Sequence, residues 1–306
     1  MNLSDSQRLH GLTTATHTPF HPDGSLNLTA VERQFGHLLA CGIRTVFVAG
    51  TTGESASLML DERLQLAGRW LEIARGTAMR VVVHVGSNSL REARTLAAHA
   101  QQHGAAAVSA LAPSYFKARD VATLVAACAE IADGAPELPF YFYDIPALTG
   151  TNYAMPEFLA AAKERIPNLA GIKFTNSDQM AYQLCLRADG GAWDVPWGLD
   201  EMLLAALALG ARGAVGSSYN FAAVIYQRII AAFARGDLAA AQAEQFRSVQ
   251  LIQMLARHGY LGSAKAVMGW LGVPVGPVRL PNSNPPPEEL AKLRAELTRT
   301  GLVEGL

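Results

Sequence analysis

The feature that most constrains the fold of this chain is a regular alternation of short strand-like runs with longer helix-like stretches. The runs are rich in β-branched and aromatic residues, and the stretches are rich in alanine and leucine at helical spacing. Eight runs are predicted as strands: residues 12–16, 45–49, 80–85, 107–112, 139–143, 169–173, 194–198 and 213–216. Eight stretches are predicted as helices: residues 29–40, 61–75, 90–103, 121–132, 156–164, 179–188, 201–209 and 222–235. Equal numbers of both favour a closed (β/α)8 TIM barrel over an open doubly wound sheet.

Further helices are predicted after the last strand and its helix, at residues 238–258, 263–271 and 288–298. The sequence contains no linker long enough to make them an independent domain. We therefore expect residues 1–235 to form an α/β barrel that carries the active site, and residues 236–306 to form a C-terminal helical extension packed on it.

Charge and composition narrow the possible partners. The net charge is −1, only 17% of the 306 residues are charged, and no block of lysine and arginine occurs. These properties argue against a nucleic-acid or membrane partner and favour a small molecule. The sequence has neither an export signal nor a long apolar run, and its three cysteines are far apart. We expect a cytoplasmic protein without disulfides.

The carboxyl ends of barrel strands form the active site in folds of this kind. Lys173 ends an apolar strand there. Burial in the barrel would disfavour its ammonium form and release an amine able to attack a ketone. The alternative from local sequence is a strand-end lysine whose amine reaches solvent.

Tyrosine and a glycine-flanked turn end two other strands. Period two places Tyr141 and Tyr143 on the same side of their strand; Tyr141 is interpreted as core, and Tyr143 is expected beside Lys173 as a proton carrier. Residues 50–54 (GTTGE) lack the ending of a nucleotide-binding loop; they form either a carboxylate cradle or only a flexible turn.

Other polar residues have ordinary structural interpretations. Asp200 and Glu201 could simply start a helix, where acidic residues complement the helix dipole. His17 and His84 lie in no metal-binding motif and are interpreted as structural. The glycine spacing in residues 210–216 does not fit a dinucleotide fingerprint.

Three motifs in order, residues 50–54 (GTTGE), 143–146 (YDIP) and 171–173 (GIK), resemble the dihydrodipicolinate synthase/N-acetylneuraminate lyase superfamily. The likeness extends from residue 12 to about residue 281. Residues 143–150, 198–201, 216–220 and 277–281 look like the lyase branch. The resemblance implies a class I aldolase that cleaves N-acetylneuraminate reversibly to N-acetylmannosamine and pyruvate, without metal or cofactor, and a homotetramer.

Site roles follow from the same resemblance. It implies that Lys173 forms the Schiff base, that Tyr143 and Tyr115 are catalytic, and that Thr51 and Thr52 hold the substrate carboxylate. Five further positions match residues that bind the sugar in the lyases: Thr175, Gly198, Asp200, Glu201 and Ser217. Paired acceptors suit a polyol whose hydroxyls all need partners once they are desolvated.

The sequence also departs from the superfamily pattern. Dihydrodipicolinate synthases usually carry an arginine where this chain has Ala147 and Leu148, and Asp144 replaces the more usual asparagine. The alternatives on the same scaffold are a 4-hydroxy-tetrahydrodipicolinate synthase and a 2-keto-3-deoxy sugar acid aldolase, and both would share Lys173. Alternatives from other classes are a metal-dependent aldolase and a non-catalytic ligand-binding barrel.

Overall fold

The sheet at the centre of the molecule consists of parallel strands. The computed structural model describes residues 3–305, and in this part of the chain seven strands pair in the order β6-β5-β4-β3-β2-β1-β7. They are β1 (Gly11–Ala15), β2 (Thr45–Val48), β3 (Arg80–His84), β4 (Ala107–Leu111), β5 (Phe140–Asp144), β6 (Leu169–Phe174) and β7 (Gly213–Gly216). Most of their residues are buried on both faces, as expected for parallel strands covered by helices.

Residues 194–197 close the barrel between β6 and β7. The predicted strand 194–198 is wrong as a regular element, because only isolated bridges form there: Gly171 with Asp194, and Trp197 with both Phe174 and Ala214. Pro196 explains the interruption, since proline cannot donate to a ladder. The segment still hydrogen-bonds on both sides, for example from Trp197 N to Gly213 O at 2.9 Å. The predicted TIM barrel fold is confirmed.

Helices surround the sheet. Those associated with the barrel are α1 (Ala30–Ala40), α2 (Leu60–Ala74), α3 (Leu90–Gln102), α4 (Val121–Ala132), α5 (Pro146–Thr149), α6 (Met155–Ala162), α7 (Gln179–Arg187), α8 (Leu203–Leu209) and α9 (Tyr219–Ala234). Helix α4 illustrates their construction: the Asp120 side chain caps it by accepting from Thr123 N at 2.7 Å, and its apolar face is buried. The predicted helices fall within a few residues of these bounds, but α5 was not predicted.

Three more helices follow, α10 (Leu238–Arg257), α11 (Tyr260–Trp270) and α12 (Pro287–Thr300). Helix α10 packs along α9, and Gln245 on α10 donates to Asp200 O at 3.2 Å, close to the mouth of the barrel. The segment after α11 returns to the N-terminal loop, where Phe20 N donates to Val275 O at 3.1 Å. The predicted division at residues 235 and 236 stays a prediction.

Within residues 3–305, no helix is both long and apolar enough to cross a membrane. All three cysteines are free thiols, and burial raises the pKa of the Cys185 thiol to about 12. The expected cytoplasmic location stays a prediction.

Candidate active site

A cavity of about 1000 Å³ lies where the carboxyl ends of the strands meet. Eight of the residues that the sequence predicts for the site line it: Thr51, Thr52, Tyr143, Lys173, Gly198, Asp200, Glu201 and Ser217. They come from five separate stretches of the chain. The parallel barrel brings them together because it ends all its strands on one face.

Lys173 lies at the floor of this cavity, and its residue surface is only 4% exposed. Its Nζ is 3.1 Å from Thr175 Oγ1 and 3.4 Å from the centre of the Tyr143 ring. Desolvation lowers the pKa of Lys173, although Tyr143, Asp200 and Asp144 act in the opposite direction. A larger fraction of this amine is therefore uncharged near neutral pH than for an exposed lysine, which is the condition for attack on a carbonyl carbon.

Tyr143 lies on β5 directly beside Lys173 on β6, because the two residues are register partners. Its hydroxyl is 3.2 Å from Thr51 Oγ1, so it faces the loop that follows β2. Its ring packs edge-on against Phe47 and against His84. These contacts fix the ring and place a phenol, an amine and a hydroxyl within one small region of the cavity.

The loop after β2 is a tight turn that begins and ends in unusual backbone conformations. Ala49 and Glu54 both have positive φ, 55° and 54°, which is uncommon for residues other than glycine. The turn is closed by Glu54 N donating to Thr51 O at 3.0 Å. Thr18, which lies outside this turn, donates from its Oγ1 hydroxyl to Gly53 O at 2.6 Å. Strain of this kind often marks a functional segment.

A second group of polar residues lies on the opposite wall. Asp200 is buried and accepts from Ser218 N at 2.9 Å and from the Ser218 hydroxyl. Burial raises the pKa of Asp200 to about 6 despite these hydrogen bonds. Ser217 Oγ and the Tyr260 hydroxyl are 2.8 Å apart, and Glu201 also lines the cavity. This wall can accept hydrogen bonds from a ligand that carries several hydroxyls.

Glycine is required at two positions on this wall. A Cβ on Gly198 would lie 1.9 Å from Thr175 Oγ1, and one on Gly216 would lie 1.9 Å from Asp200 Oδ1. No real Cβ comes so close, so any side chain there would displace a polar group of the site. Gly198 thus preserves the position of Thr175, which in turn contacts Lys173.

His84 borders the cavity and is held by two hydrogen bonds. Desolvation lowers its pKa to about 3, so the ring is neutral. Its Nδ1 donates to Ala49 O at 2.9 Å, and its Nε2 accepts from Leu111 N at 3.4 Å. Both contacts hold the ring in place against Tyr143, which gives it a structural role.

Tyr115 lies elsewhere. It is 79% exposed, outside the cavity of a single chain, and its ring packs edge-on against Phe116. Its predicted catalytic role therefore has no support from the geometry of one chain and stays a prediction.

The sequence analysis did not predict that the C-terminal extension contributes residues to the site. Five residues from it line the cavity: Ile252, Tyr260, Leu261, Pro281 and Asn282. It also missed a buried ion pair between Glu54 and Lys265. The available signal was the glutamate that ends the GTTGE motif, but its partner lies too far along the chain to be identified from spacing.

In the described part of the chain, no group of three or more His, Cys, Asp or Glu side chains is placed to hold a metal ion. Asp200 and Glu201, two of the acidic residues that line the cavity, are neighbours in sequence at the start of one 3-10 turn. The ionisable groups at the floor of the cavity are an amine and a phenol.

A buried amine beside a phenol at the mouth of a (β/α)8 barrel is the arrangement expected of an enzyme that works through an imine. The model of the Dihydrodipicolinate synthetase family matches residues 8–300, and the chain belongs to that family. This confirms the family predicted from the three motifs.

Its relatives include N-acetylneuraminate lyases. The chain is 38% identical over 299 residues to N-acetylneuraminate lyase of Gallus gallus, covering 96% of this chain and 97% of that one. It is 41% identical over 278 residues to N-acetylneuraminate lyase A of Xenopus laevis, covering 90% and 91%. The solved N-acetylneuraminate lyase (sialic acid aldolase) of Aliivibrio salmonicida superposes with a TM-score of 0.94 at 37% identity, covering 97% and 98%.

Proposed function

We propose that this protein is a class I aldolase that cleaves N-acetylneuraminate reversibly to N-acetylmannosamine and pyruvate. The observation that carries the proposal is the buried Lys173 amine, 3.4 Å from the centre of the Tyr143 ring, at the mouth of the barrel. Relatives that are 38% and 41% identical over most of the chain are N-acetylneuraminate lyases. Their similarity supports this substrate over others of the same class.

The reaction begins with attack of the Lys173 amine on the ketone of the open-chain substrate. Water leaves, and a protonated imine forms. Tyr143 relays the proton away from the hydroxyl on the far carbon of the bond to be broken, and that carbon–carbon bond cleaves. Its electron pair flows into the imine, N-acetylmannosamine leaves as the aldehyde, and an enamine of pyruvate remains. Protonation at carbon and hydrolysis release pyruvate and restore the free amine.

Two parts of the cavity hold the two ends of the substrate in this proposal. The carboxylate next to the ketone lies on Thr51 and Thr52, in the strained turn. The hydroxylated chain extends along the other wall, where five residues bind it: Thr175, Gly198, Asp200, Glu201 and Ser217. The contacts of these residues with Lys173, Ser218 and Tyr260 support such an arrangement because they fix the polar atoms before the substrate enters.

A synthase of the dihydrodipicolinate type is disfavoured by the residues after Pro146. Ala147 and Leu148 lie on the short helix α5, and Leu148 borders the cavity with an apolar side chain. The arginine that the synthases usually carry there would bind a second carboxylate, and these two residues cannot. A non-catalytic barrel is disfavoured because both the amine and the phenol are present at the floor of the cavity.

The imine route also leads us to propose that no metal or other cofactor takes part. The protonated imine supplies the electron sink that a metal ion supplies in the other class of aldolase. Full activity after dialysis against a chelator is expected. Complete loss that is restored by a divalent ion would favour the metal-dependent alternative.

We further propose a cytoplasmic homotetramer, as the family resemblance implies. The exposed pair Tyr115 and Phe116 supports assembly, since two large apolar side chains in contact at 79% and 85% exposure are unusual on a surface that stays in water. Substrates are small molecules in this proposal, with no nucleic-acid or membrane partner.

Borohydride reduction in the presence of pyruvate tests the proposal. Wild-type protein should gain the mass of one reduced pyruvate adduct, Lys173→Ala should gain none, and Lys163→Ala, which alters an exposed lysine, should behave as wild type. An adduct in Lys173→Ala equal to that in wild type would reject the mechanism. Pyruvate release from N-acetylneuraminate and from 2-keto-3-deoxygluconate is then compared, and turnover of only the latter would reject the lyase assignment.

A further inference from the structure

A buried ion pair links the turn after β2 to helix α11. Glu54 Oε1 and Lys265 Nζ are 2.7 Å apart, and the two side chains are 0% and 1% exposed. The Lys265 ammonium also donates to Pro277 O at 2.7 Å and lies 4.4 Å from the centre of the Phe20 ring. Neither charged residue takes part in the chemistry proposed above.

The second oxygen of the same carboxylate is held by the segment after α11. Glu54 Oε2 accepts from Arg279 N at 2.9 Å. The Arg279 guanidinium donates to both oxygens of Glu62 on α2 and to Ser57 O at 2.9 Å. Both oxygens of Glu54 are thus fixed by the C-terminal extension, which is itself tied to Ser57 just before α2 and to Glu62 in its first turn.

The cost of this arrangement indicates that it does more than stabilise the fold. Two buried charges lose hydration that their attraction recovers only in part, so an apolar pair of similar volume is often as stable or more stable. Glu54 also has a positive φ, a conformation that favours glycine. Because the side chain of Glu54 is fixed at both oxygens, it also fixes the backbone of its own residue. That backbone is part of the turn after β2.

The position of Glu54 in turn fixes residues of the turn that contact the floor of the cavity. Glu54 N closes the turn on Thr51 O, and Thr51 Oγ1 is 3.2 Å from the Tyr143 hydroxyl. Thr52 lies between Thr51 and Glu54 in sequence. A displacement of Glu54 therefore moves both threonines relative to Lys173.

We propose that Glu54 and Lys265 are positioning residues, which hold Thr51 and Thr52 where they bind the carboxylate of an α-keto acid. The C-terminal extension is then a functional part of the site. This inference rests on the proposed function, since it concerns the carboxylate that the imine-forming substrate carries.

Four variants separate positioning from stability: Glu54→Gln, Lys265→Met, the double variant with both changes, and the control Glu304→Gln on the exposed ion pair with Arg228. Two quantities are measured on each: the pyruvate concentration that gives half-maximal borohydride trapping at Lys173, and the midpoint of thermal unfolding. The single variants leave one buried charge unpaired, so both quantities should change, with the half-saturating concentration rising about tenfold or more.

The double variant decides the matter because no buried charge is left unpaired in it. Its unfolding midpoint should return toward wild type while its half-saturating concentration stays raised, and Glu304→Gln should change neither. Recovery of both quantities together in the double variant would overturn the proposal, as would single variants with lowered midpoints and unchanged half-saturation. Absence of trapping in wild-type protein would instead reject the proposed function itself.

Discussion

Two tyrosines on β5 have hydroxyls in different surroundings. The Tyr143 hydroxyl contacts Thr51, whereas the Tyr141 hydroxyl donates to Asp194 Oδ2 at 2.7 Å inside the barrel. Tyr143→Phe should still form the pyruvate adduct but turn over about 10²–10⁴-fold more slowly, because only the proton carrier is lost. Tyr141→Phe is the matched control; it should cost about 1–3 kcal/mol of stability and leave turnover of the folded protein close to wild type.

Trapping yield, steady-state rates and chemical denaturation together check this pair. A Tyr143→Phe variant with wild-type turnover would remove the phenol from the mechanism. Equal rate losses in the two variants would show that the effect comes from the strand rather than from the hydroxyl.

Asp200 gives the site a dependence on pH. Its pKa is raised to about 6 by burial, so the carboxylate that we propose accepts hydrogen bonds from the sugar is lost as the pH falls below that value. We expect kcat/KM for the sugar acid to fall about tenfold per unit below pH 6. Asp144 also has a pKa raised to about 6 by burial but does not line the cavity. Asp144→Asn should therefore keep this acid limb, and Asp200→Asn should flatten it; the opposite assignment would contradict the role of Asp200.

The raised pKa of Asp200 also affects the stability of the fold, in the direction opposite to its expected effect on activity. The unfolded chain releases the Asp200 proton near its ordinary pKa of 3.8, and the folded chain releases it near 6. Between these values the folded state binds more protons than the unfolded state, so this group's contribution to stability declines as the pH rises through the window. Activity and stability therefore favour different ends of the same pH range.

Strand β6 contains a glycine with no room for a side chain, because the neighbouring segment packs directly against it. Gly171 has φ of 156°, and a Cβ there would lie 1.8 Å from Asp194 O, the carbonyl that closes the barrel. Gly171→Ala should lower the free energy of unfolding by about 3 kcal/mol or more. Gly269→Ala on α11, where a Cβ meets nothing within 4 Å, should raise it by about 0.4–1 kcal/mol. Equal effects in denaturant unfolding would show that the closure at Asp194 is not tight.

Secondary structure was predictable where local pattern and burial agree. Val121–Ala132 was predicted residue for residue because a capping aspartate and an apolar face mark it. The strand at residues 194–198 was predicted from spacing as well as from propensity. An aspartate and a proline there oppose a regular strand, and the structure has isolated bridges instead. The four-residue helix α5 is too short to show a period, and it begins at Pro146, which the sequence marks only as the end of the preceding strand.

Assembly is testable on the intact protein. Light scattering should give a mass four times that of the 32.6 kDa chain. Replacing Tyr115 and Phe116 together by glutamate should dissociate the tetramer into smaller species, because two exposed aromatic rings in contact would be exchanged for charges. Leu238→Glu, at the start of α10, is the control with a similar change on another exposed side chain. A monomeric mass for wild-type protein would refute the predicted assembly.

The sequence analysis identified the catalytic candidates that lie at the ends of strands. Lys173 and Tyr143 could be placed side by side because consecutive parallel strands pair and each residue is the last inward position of its strand. Lys265, Tyr260 and Arg279 could not be placed, since they reach the cavity or its turn from helices and loops of the extension. Their contacts depend on tertiary packing, which no local pattern encodes.

The pairing of Glu54 with Arg279 spans 225 positions of the chain. At a synthesis rate of about 5–20 residues per second, roughly 10–45 s separate the emergence of the two residues from the ribosome. For most of that interval a nascent barrel carries a glutamate whose counter-charge, Lys265, has not been translated. If Glu54 and Lys265 have the positioning role proposed above, the strands are complete well before the turn is fixed for substrate binding, and the amine stays inactive until nearly all of the polypeptide exists.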